Sequence, residues 1–328
     1  MCVIAGPAGD PPKRAVAATS PAGRKRALTA VMGALVAAAV LAWVLVDRRE
    51  AFLAALGAAP VWILLVATLL QLLALVSRTE AWHVCVSAAG GRLGRRRLYH
   101  ASSVGSVVSQ LNSQLGTASR IAVLRRGAPE LSPRVPALIA AEVPILAVEG
   151  VLAAAASFTL VGPLGLPWWV PVACLTVAAA LVAVLRRMAG RWRDGFWSGL
   201  AVLRSIDGRT RVVALVLVAV FAQIGRNWLM LHAVGVDASV FDATAVLIAM
   251  VLLSQLPVGP SVGAAAVVVI LGANGLALAA ASGVLLTATG TAGAIAFALW
   301  ATTDRFWTLR PAARVPLAGE ISSVGATP

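Results

Sequence analysis

Four ionisable side chains interrupt stretches that are otherwise almost wholly apolar: Arg120, Glu142, Glu149 and Arg226. Placing such groups in lipid costs about 2.5–3.5 kcal/mol each on insertion scales, so each demands a partner or a task. Glu142 and Glu149 are seven residues apart, two helical turns, which puts both on one face of a helix. Arg120 follows a polar interruption, LNSQLG at 111–116, with Gln110 and Asn112 beside it, and Arg226 is flanked by Gln223 and Asn227. Two chemistries fit these residue types. In the first, a polar cavity at mid-membrane lets Arg120 and Arg226 hold a lipid phosphate through the planar guanidinium. The glutamates then balance charge or relay protons, and Gln110, Asn112, Asn227 and Gln255 line the cavity. In the second, Glu142 or Glu149 pairs with Arg120 or Arg226 and does no more than lock helices together. No nucleophile elbow, phosphate loop, metal-ligand cluster or redox pair is visible, and His83 and His100 lack companion ligands. Neither catalysis, a metal nor a cofactor is expected.

The elements that must position these residues are membrane spans. The chain has 328 residues, of which 60% are hydrophobic and 12% charged, with mean hydropathy +0.89. Soluble domains run at roughly 45–50% apolar and about 25% charged. Hydropathy predicts an all-α, polytopic integral membrane protein with clear spans over 28–46, 58–77, 136–160, 166–185, 212–231 and 277–300. Each approaches or exceeds the roughly 20 apolar residues needed to cross the hydrocarbon core. Two more stretches, 101–128 and 241–275, are apolar but broken, by Gly116 in the first and by Pro257, Gly259, Pro260 and Gly263 in the second. Backbone groups freed at such breaks find no partner in lipid, so these segments must be buried in protein or line a wet cavity. Re-entrant hairpins meet that demand.

Charge supports the same arrangement. The net charge is +14, from 27 basic and 13 acidic residues. The arginines cluster between apolar runs, as the positive-inside rule expects, and not as the basic patch with interleaved aromatics of a nucleic-acid binder. Making 101–118 a hairpin keeps the two basic segments, 78–100 and 120–134, on one side. Arg-rich 186–211 joins them, and both termini come out cytoplasmic. Eight full spans are the alternative. Arg78 is expected to snorkel to headgroups from a helix end, and Arg92, Arg95, Arg96, Arg97 and the 186–211 loop to bind anionic headgroups. Trp43, Trp168, Trp169, Trp192, Trp197, Trp300 and Trp307 fall near span ends, where interfacial belts form. Cys2, Cys85 and Cys174 follow no disulfide or metal pattern. Residues 1–27, carrying Pro7, Pro11 and Pro12 and a basic end at 24–26, read as a disordered cytoplasmic tail. Residues 28–305 then form the transmembrane domain and 306–328 a cytoplasmic C-terminal tail. Arginine outnumbers lysine so heavily, with only Lys13 and Lys25 present, that a bacterial plasma membrane is the expected location.

The two broken segments echo each other. Ser109-Gln110-Leu111 recurs as Ser254-Gln255-Leu256, Gly116 answers to Gly263, and Trp82 to Trp228, with Gly90 and Gly235 following in turn. Units entering from opposite faces would make an inverted repeat, in which broken helices meet near the midplane to form a substrate site.

In this order the chain resembles the transmembrane region of the lysylphosphatidylglycerol synthase/flippase family. Residues 78–126 are similar to the family's Arg-x-x-x-Trp entry, here Arg78 and Trp82, and to its Pro-Gly-x-x-Gly-acid-x-x-Arg element, of which Gly116 and Arg120 remain. Segment 137–150 is similar to a helix with an acidic pair, here Glu142 and Glu149. LPVGPSVGAAAVVVILGANG at 256–275 resembles the Pro-Gly-Gly-x-Gly-x-x-Glu element. Asn112, Ser113 and Thr117 replace the family's Pro, Gly and acid, and Ala266 stands at the Glu position. The resemblance spans roughly 28–305 and implies a divergent, stand-alone member. A lysyl-transferring synthase domain would need some hundreds of further soluble residues, so that activity is not expected. What is expected is a flippase-like transporter moving a phospholipid or isoprenoid-linked lipid between leaflets. The alternative is a scaffold or protein partner that keeps the fold without transporting. Membrane lipids are the expected partners in either case, and nucleic acid is not one.

Overall fold

Apolar side chains at most positions leave the backbone few ways to satisfy its N–H and C=O groups in lipid, and the helix satisfies them within one segment. The computed structural model describes residues 49–110, 113–127, 130–192, 195–253, 267–268, 270 and 276–307, and they form helices and turns without a strand. The tail 1–27, the span expected at 28–46, Asn112, residues 308–328 and the second break, with Gln255, Pro257, Gly259, Pro260 and Gly263, lie outside the described residues.

In chain order the helices of six residues or more are α1 (Arg49–Ala58), α2 (Val61–Ala88), α3 (Arg95–Ser109), α4 (Ser113–Gly127), α5 (Val135–Ala140), α6 (Val143–Ala156), α7 (Trp169–Arg191), α8 (Ile206–Ala233), α9 (Val240–Leu253) and α10 (Leu276–Trp307), with a single α-helical turn at Val161–Leu164. Short 3₁₀ segments cover Ser157–Leu160 and Gly195–Arg204. Five helical stretches are long and apolar enough to cross a membrane: Val61–Ala88, Val135–Leu160, Trp169–Arg191, Ile206–Ala233 and Ala277–Thr303. The protein is an all-helical membrane protein.

At the centre, α2 and α8 pack along each other, each 28 residues long. They run antiparallel. Gln71 meets Arg226, Ala74 lies with Ala219 and Ala222, and Trp82 and Cys85 cluster with Val212 and Val216. The small alanines at mid-length let the axes approach closely, as lipid-embedded helices require in the absence of a hydrophobic driving force. Both helices stop at a glycine in the left-handed region, Gly90 (φ 89°) and Gly235 (φ 80°). The next residue closes a 6→1 bond in each case, Gly91 N–H to Val86 O and Val236 N–H to Leu231 O, both 3.0 Å. These are Schellman stops that a side chain at the glycine would strain.

The span 58–77 proves too short, because α2 continues through 78–88, which had read as loop. Arg78, Glu80 and His83 there find partners within the protein, although Arg78 stays about half exposed. A second correction concerns 186–211, where Gly195–Arg204 is a 3₁₀ segment seated on α5. A side chain at Gly199 would collide with the Ala137 carbonyl oxygen. Arg204 does not reach toward headgroups but donates to Ala189 O and Trp192 O, 2.8 Å each, capping the end of α7. Span 136–160 is bent. Pro144 has no N–H to give Ala140 and its ring would clash there, so the helix breaks at 141–142 and restarts at Val143. Glu142 sits at that break.

Residues 95–127 form a helical hairpin, two 15-residue legs joined across 110–112. Its packing explains Gly116, which is not a helix break but lies inside the second leg, α4. A Cβ there would sit 2.6 Å from Ser109 Cβ and 2.8 Å from Gly105 O, and one at Gly105 would sit 3.0 Å from Gly116 O. The two glycines let the legs touch backbone to backbone. The hairpin tip lies beside α10, where Thr291 Oγ1 approaches Gln110 Oε1 at 3.5 Å, the outer limit of a hydrogen bond. Its base is held by Tyr99, edge-on to Trp300 with ring centroids 5.3 Å apart. Thr291 is the sixteenth of the 32 residues of α10, so the tip reaches the middle of a membrane-crossing helix. Trp168, Trp169, Trp192 and Trp300 are exposed, as a lipid-interface belt requires.

Candidate functional site

The ionisable residues separate into three groups. On the hairpin, Arg120 extends from α4 to Glu142, with Nη2 on Oε1, and its guanidinium lies over the Trp82 ring, 4.1 Å from the centroid. Both members of the pair are largely buried, with side chains 16% and 15% exposed. Trp82 is fully buried. The bend forced by Pro144 brings Glu142 to the hairpin, and the absence of a side chain on Gly105 leaves room for the Arg120 stem. Carboxylate and aromatic face together neutralise this arginine.

Glu149 engages a different element. Its Oε2 accepts from Arg78 Nη2 at 2.7 Å. Arg78, expected as a headgroup anchor, is thus tied to α6, although its side chain stays about half exposed. Glu142 and Glu149 do not share one ligand or one arginine. Close to the hairpin base, Glu80 Oε1 accepts from Tyr99 Oη at 2.8 Å, with Arg95 Nε at 3.5 Å and His83 Nδ1 at 3.7 Å from its carboxylate. Arg95, also expected at headgroups, belongs to this cluster.

Arg226 is different. It is 3% exposed, and its Nη1 donates to Gln71 Oε1, a neutral amide that is itself 6% exposed. Its Nε has no acceptor among the described residues, which is true of Arg120 Nε as well. Two glycines of α10 lie against the pair: a Cβ at Gly290 would be 3.4 Å from Arg226 Nη1, and one at Gly293 would be 2.5 Å from Gln71 Cγ. Gly290 adjoins Thr291, which carries the contact to the hairpin tip. Gln71, Arg226, Gly290, Gly293, Thr291 and Gln110 therefore meet at one level, half-way along α10. Asn227 is fully buried but turns to α9, its Nδ2 donating to Ala243 O at 3.5 Å. It does not join Arg226.

Of the residues singled out in the sequence, the structure pairs Arg120 with Glu142, while Gln110 and Arg226 each lie against α10, at Thr291 and Gly290. It separates Glu149 and Asn227 from both. Gln71, Tyr99 and the α10 glycines were not anticipated. Gln71 had a readable signal, as the one amide inside LLQLLALV. Among the described residues no three His, Cys, Asp or Glu side chains gather as a metal site requires. No known protein family, no curated protein and no solved structure matches the chain.

Proposed function

We propose that this protein moves a polar-headed lipid between leaflets, in the manner of the flippase-like proteins its sequence resembles. One observation carries the reading: the hairpin tip stands at the middle of α10, near a buried arginine whose one partner among the described residues is an amide. The legs are richer in polar side chains than the helices around them, carrying Ser102, Ser103, Ser106, Ser109, Gln110, Thr117 and Ser119, although Ser103, Ser106, Ser109 and Ser119 bond back to their own helix. A hairpin tip at membrane depth must be buried in protein or line a wet cavity, and the transport reading takes the second. The antiparallel pairing of α2 with α8, each ending at a left-handed glycine, supports an inverted repeat, the architecture that puts substrate sites at the midplane. Both ends of the hairpin then lie on one face of the membrane, with Arg92, Arg96, Arg97, Arg125 and Arg126 at anionic headgroups of the cytoplasmic leaflet.

The test is leaflet exchange. Purified protein in liposomes carrying a fluorescent phospholipid should accelerate exchange over protein-free liposomes, and Arg226→Gln should slow it at least tenfold. Equal rates with and without protein would end this reading.

A second reading, a scaffold that transports nothing, draws on Arg120 and Glu142. Both stand at family-like positions, and both are consumed by an internal pair over Trp82. Cysteines introduced at 112 and 259 discriminate: water-soluble thiol reagents label them if a wet path reaches mid-membrane, and fail to do so in a dry scaffold.

A further inference from the structure

Charge bookkeeping around the mid-level site identifies what it should hold. Arg120 is balanced by Glu142 and Arg78 by Glu149, while Arg95 and His83 face Glu80. Arg226 has no carboxylate partner among the described residues. The sequence offers none nearby: it has no Asp or Glu between Asp207 and Asp237, nor between Asp242 and Asp304. Asp242 is itself engaged by Ser239 N and Oγ, at 2.9 and 2.7 Å. Asp237 lies 11 residues beyond Arg226, past the end of α8, and so roughly 16 Å away along the helix axis. An ion removed from water is tolerated only with a counter-charge and filled hydrogen bonds. Here neither a counter-charge nor an acceptor for Nε stands among the described residues.

We propose that Arg226 and Gln71 form a site for one singly charged oxyanion, of the phosphodiester type, at the mid-level of the bundle. The charge sets the class, because one uncompensated guanidinium is neutralised by a monoanion and overcompensated by a phosphomonoester dianion. The geometry agrees. Nη1 is anchored by Gln71 and Nε is left to donate, an arrangement that suits an acceptor with more than one oxygen. Gly290 and Gly293 present no side chain to the pair, and the contact between Gln110 and Thr291 places the polar hairpin tip at the same level. That the anion is part of a lipid rests on the transport reading above; that it is a monoanion does not.

The test uses the full chain in an uncharged detergent. Thermal unfolding is followed while sodium gluconate is replaced, at constant ionic strength, by sodium dimethyl phosphate. In a parallel arm the micelles are doped with phosphatidylglycerol. A ligand held by the folded state alone should raise the midpoint in a saturating way, by roughly 3–5 °C. Gln71→Glu supplies the missing charge from within, so it should raise the midpoint in gluconate and abolish the response to either phosphodiester. Arg226→Gln should abolish the response too, and Arg226→Lys should keep part of it. A response to phosphatidylglycerol alone assigns the anion to a headgroup, and one to dimethyl phosphate assigns it to a free anion. No response in either arm overturns the proposal. So does a response that survives in Gln71→Glu, because the anion then sits on surface arginines. If lipid exchange fails in liposomes while the response sensitive to Gln71→Glu persists, the transport reading falls and the anion site stands.

Discussion

Arg120 and Arg226 are both buried arginines within apolar surroundings, yet the fold treats them in opposite ways. Arg120 receives a carboxylate from the bend at Pro144 and an aromatic face from Trp82. Arg226 receives the amide of Gln71 and the bare glycines of α10. The first is electrically closed and holds the hairpin against α2 and α6. The second has no carboxylate partner among the described residues, at the level where the hairpin ends. A charge that the protein neutralises itself holds helices together, whereas on the proposal above the one without a carboxylate is held for a ligand. Both arginines look alike in the sequence, so the distinction lies entirely in which acids the fold delivers.

The sharpest way to break this contrast is Glu142→Gln. It leaves Arg120 buried without its counter-charge, which should cost about 3–5 kcal/mol. Replacing both partners by apolar residues of similar size, as in Arg120→Met with Glu142→Leu, should restore most of that loss in a denaturation midpoint. If Glu142→Gln is nearly neutral, Arg120 is not closed and the contrast fails.

Gln71→Leu makes the matching cut at the other arginine. Only a hydrogen bond to a charged group is lost, worth about 1.5–3 kcal/mol, because no carboxylate was balancing Arg226. The expected order is a smaller destabilisation than for Glu142→Gln, measured under the same conditions. Equal losses would mean that the amide does a carboxylate's work.

Much of the fold can be read from hydropathy, and the reasons for the exceptions are physical. Spans 212–231 and 277–300 are predominantly apolar runs of the length a bilayer demands, and each lies inside an observed helix, while 166–185 is helical from Trp169 onward. The end of α2 was missed because RTEAWHV is polar by composition, yet Arg78 and Glu80 find partners on α6 and the hairpin. Hydropathy cannot see a charge that is satisfied by a distant residue. The pair Arg120–Glu142 was among the expected alternatives because the residue types allowed it. The Glu149–Arg78 pair was not, since a helix-end arginine has water and headgroups as ready competitors. Gly116 was misjudged because glycine signals a break and a close approach with the same letter.

That ambiguity sets the third test, which moves from charge to packing. Gly116→Ala places a methyl 2.6 Å from Ser109 Cβ and 2.8 Å from Gly105 O. Neither leg can yield without bending, so overpacking of about 1–3 kcal/mol is expected. If Gly116 acted as a break, alanine there would extend α4 and stabilise it. The sign of the change in unfolding midpoint decides between the two.

The smallest effect belongs to Arg78→Ala. Its bond to Glu149 is short, 2.7 Å, and length alone would suggest a pair as strong as Arg120–Glu142. Exposure argues otherwise. With half the Arg78 side chain in contact with solvent or headgroups, the charge is screened and loses little on separation, so the cost should stay within about 1 kcal/mol. A double-mutant cycle with Glu149→Gln isolates the pair from the packing of the arginine stem. A coupling energy of several kcal/mol would show that this second pair is as closed as the first. Burial would then have failed to rank the arginines, and the case for Arg226 as the exception would have to stand on its missing acid alone.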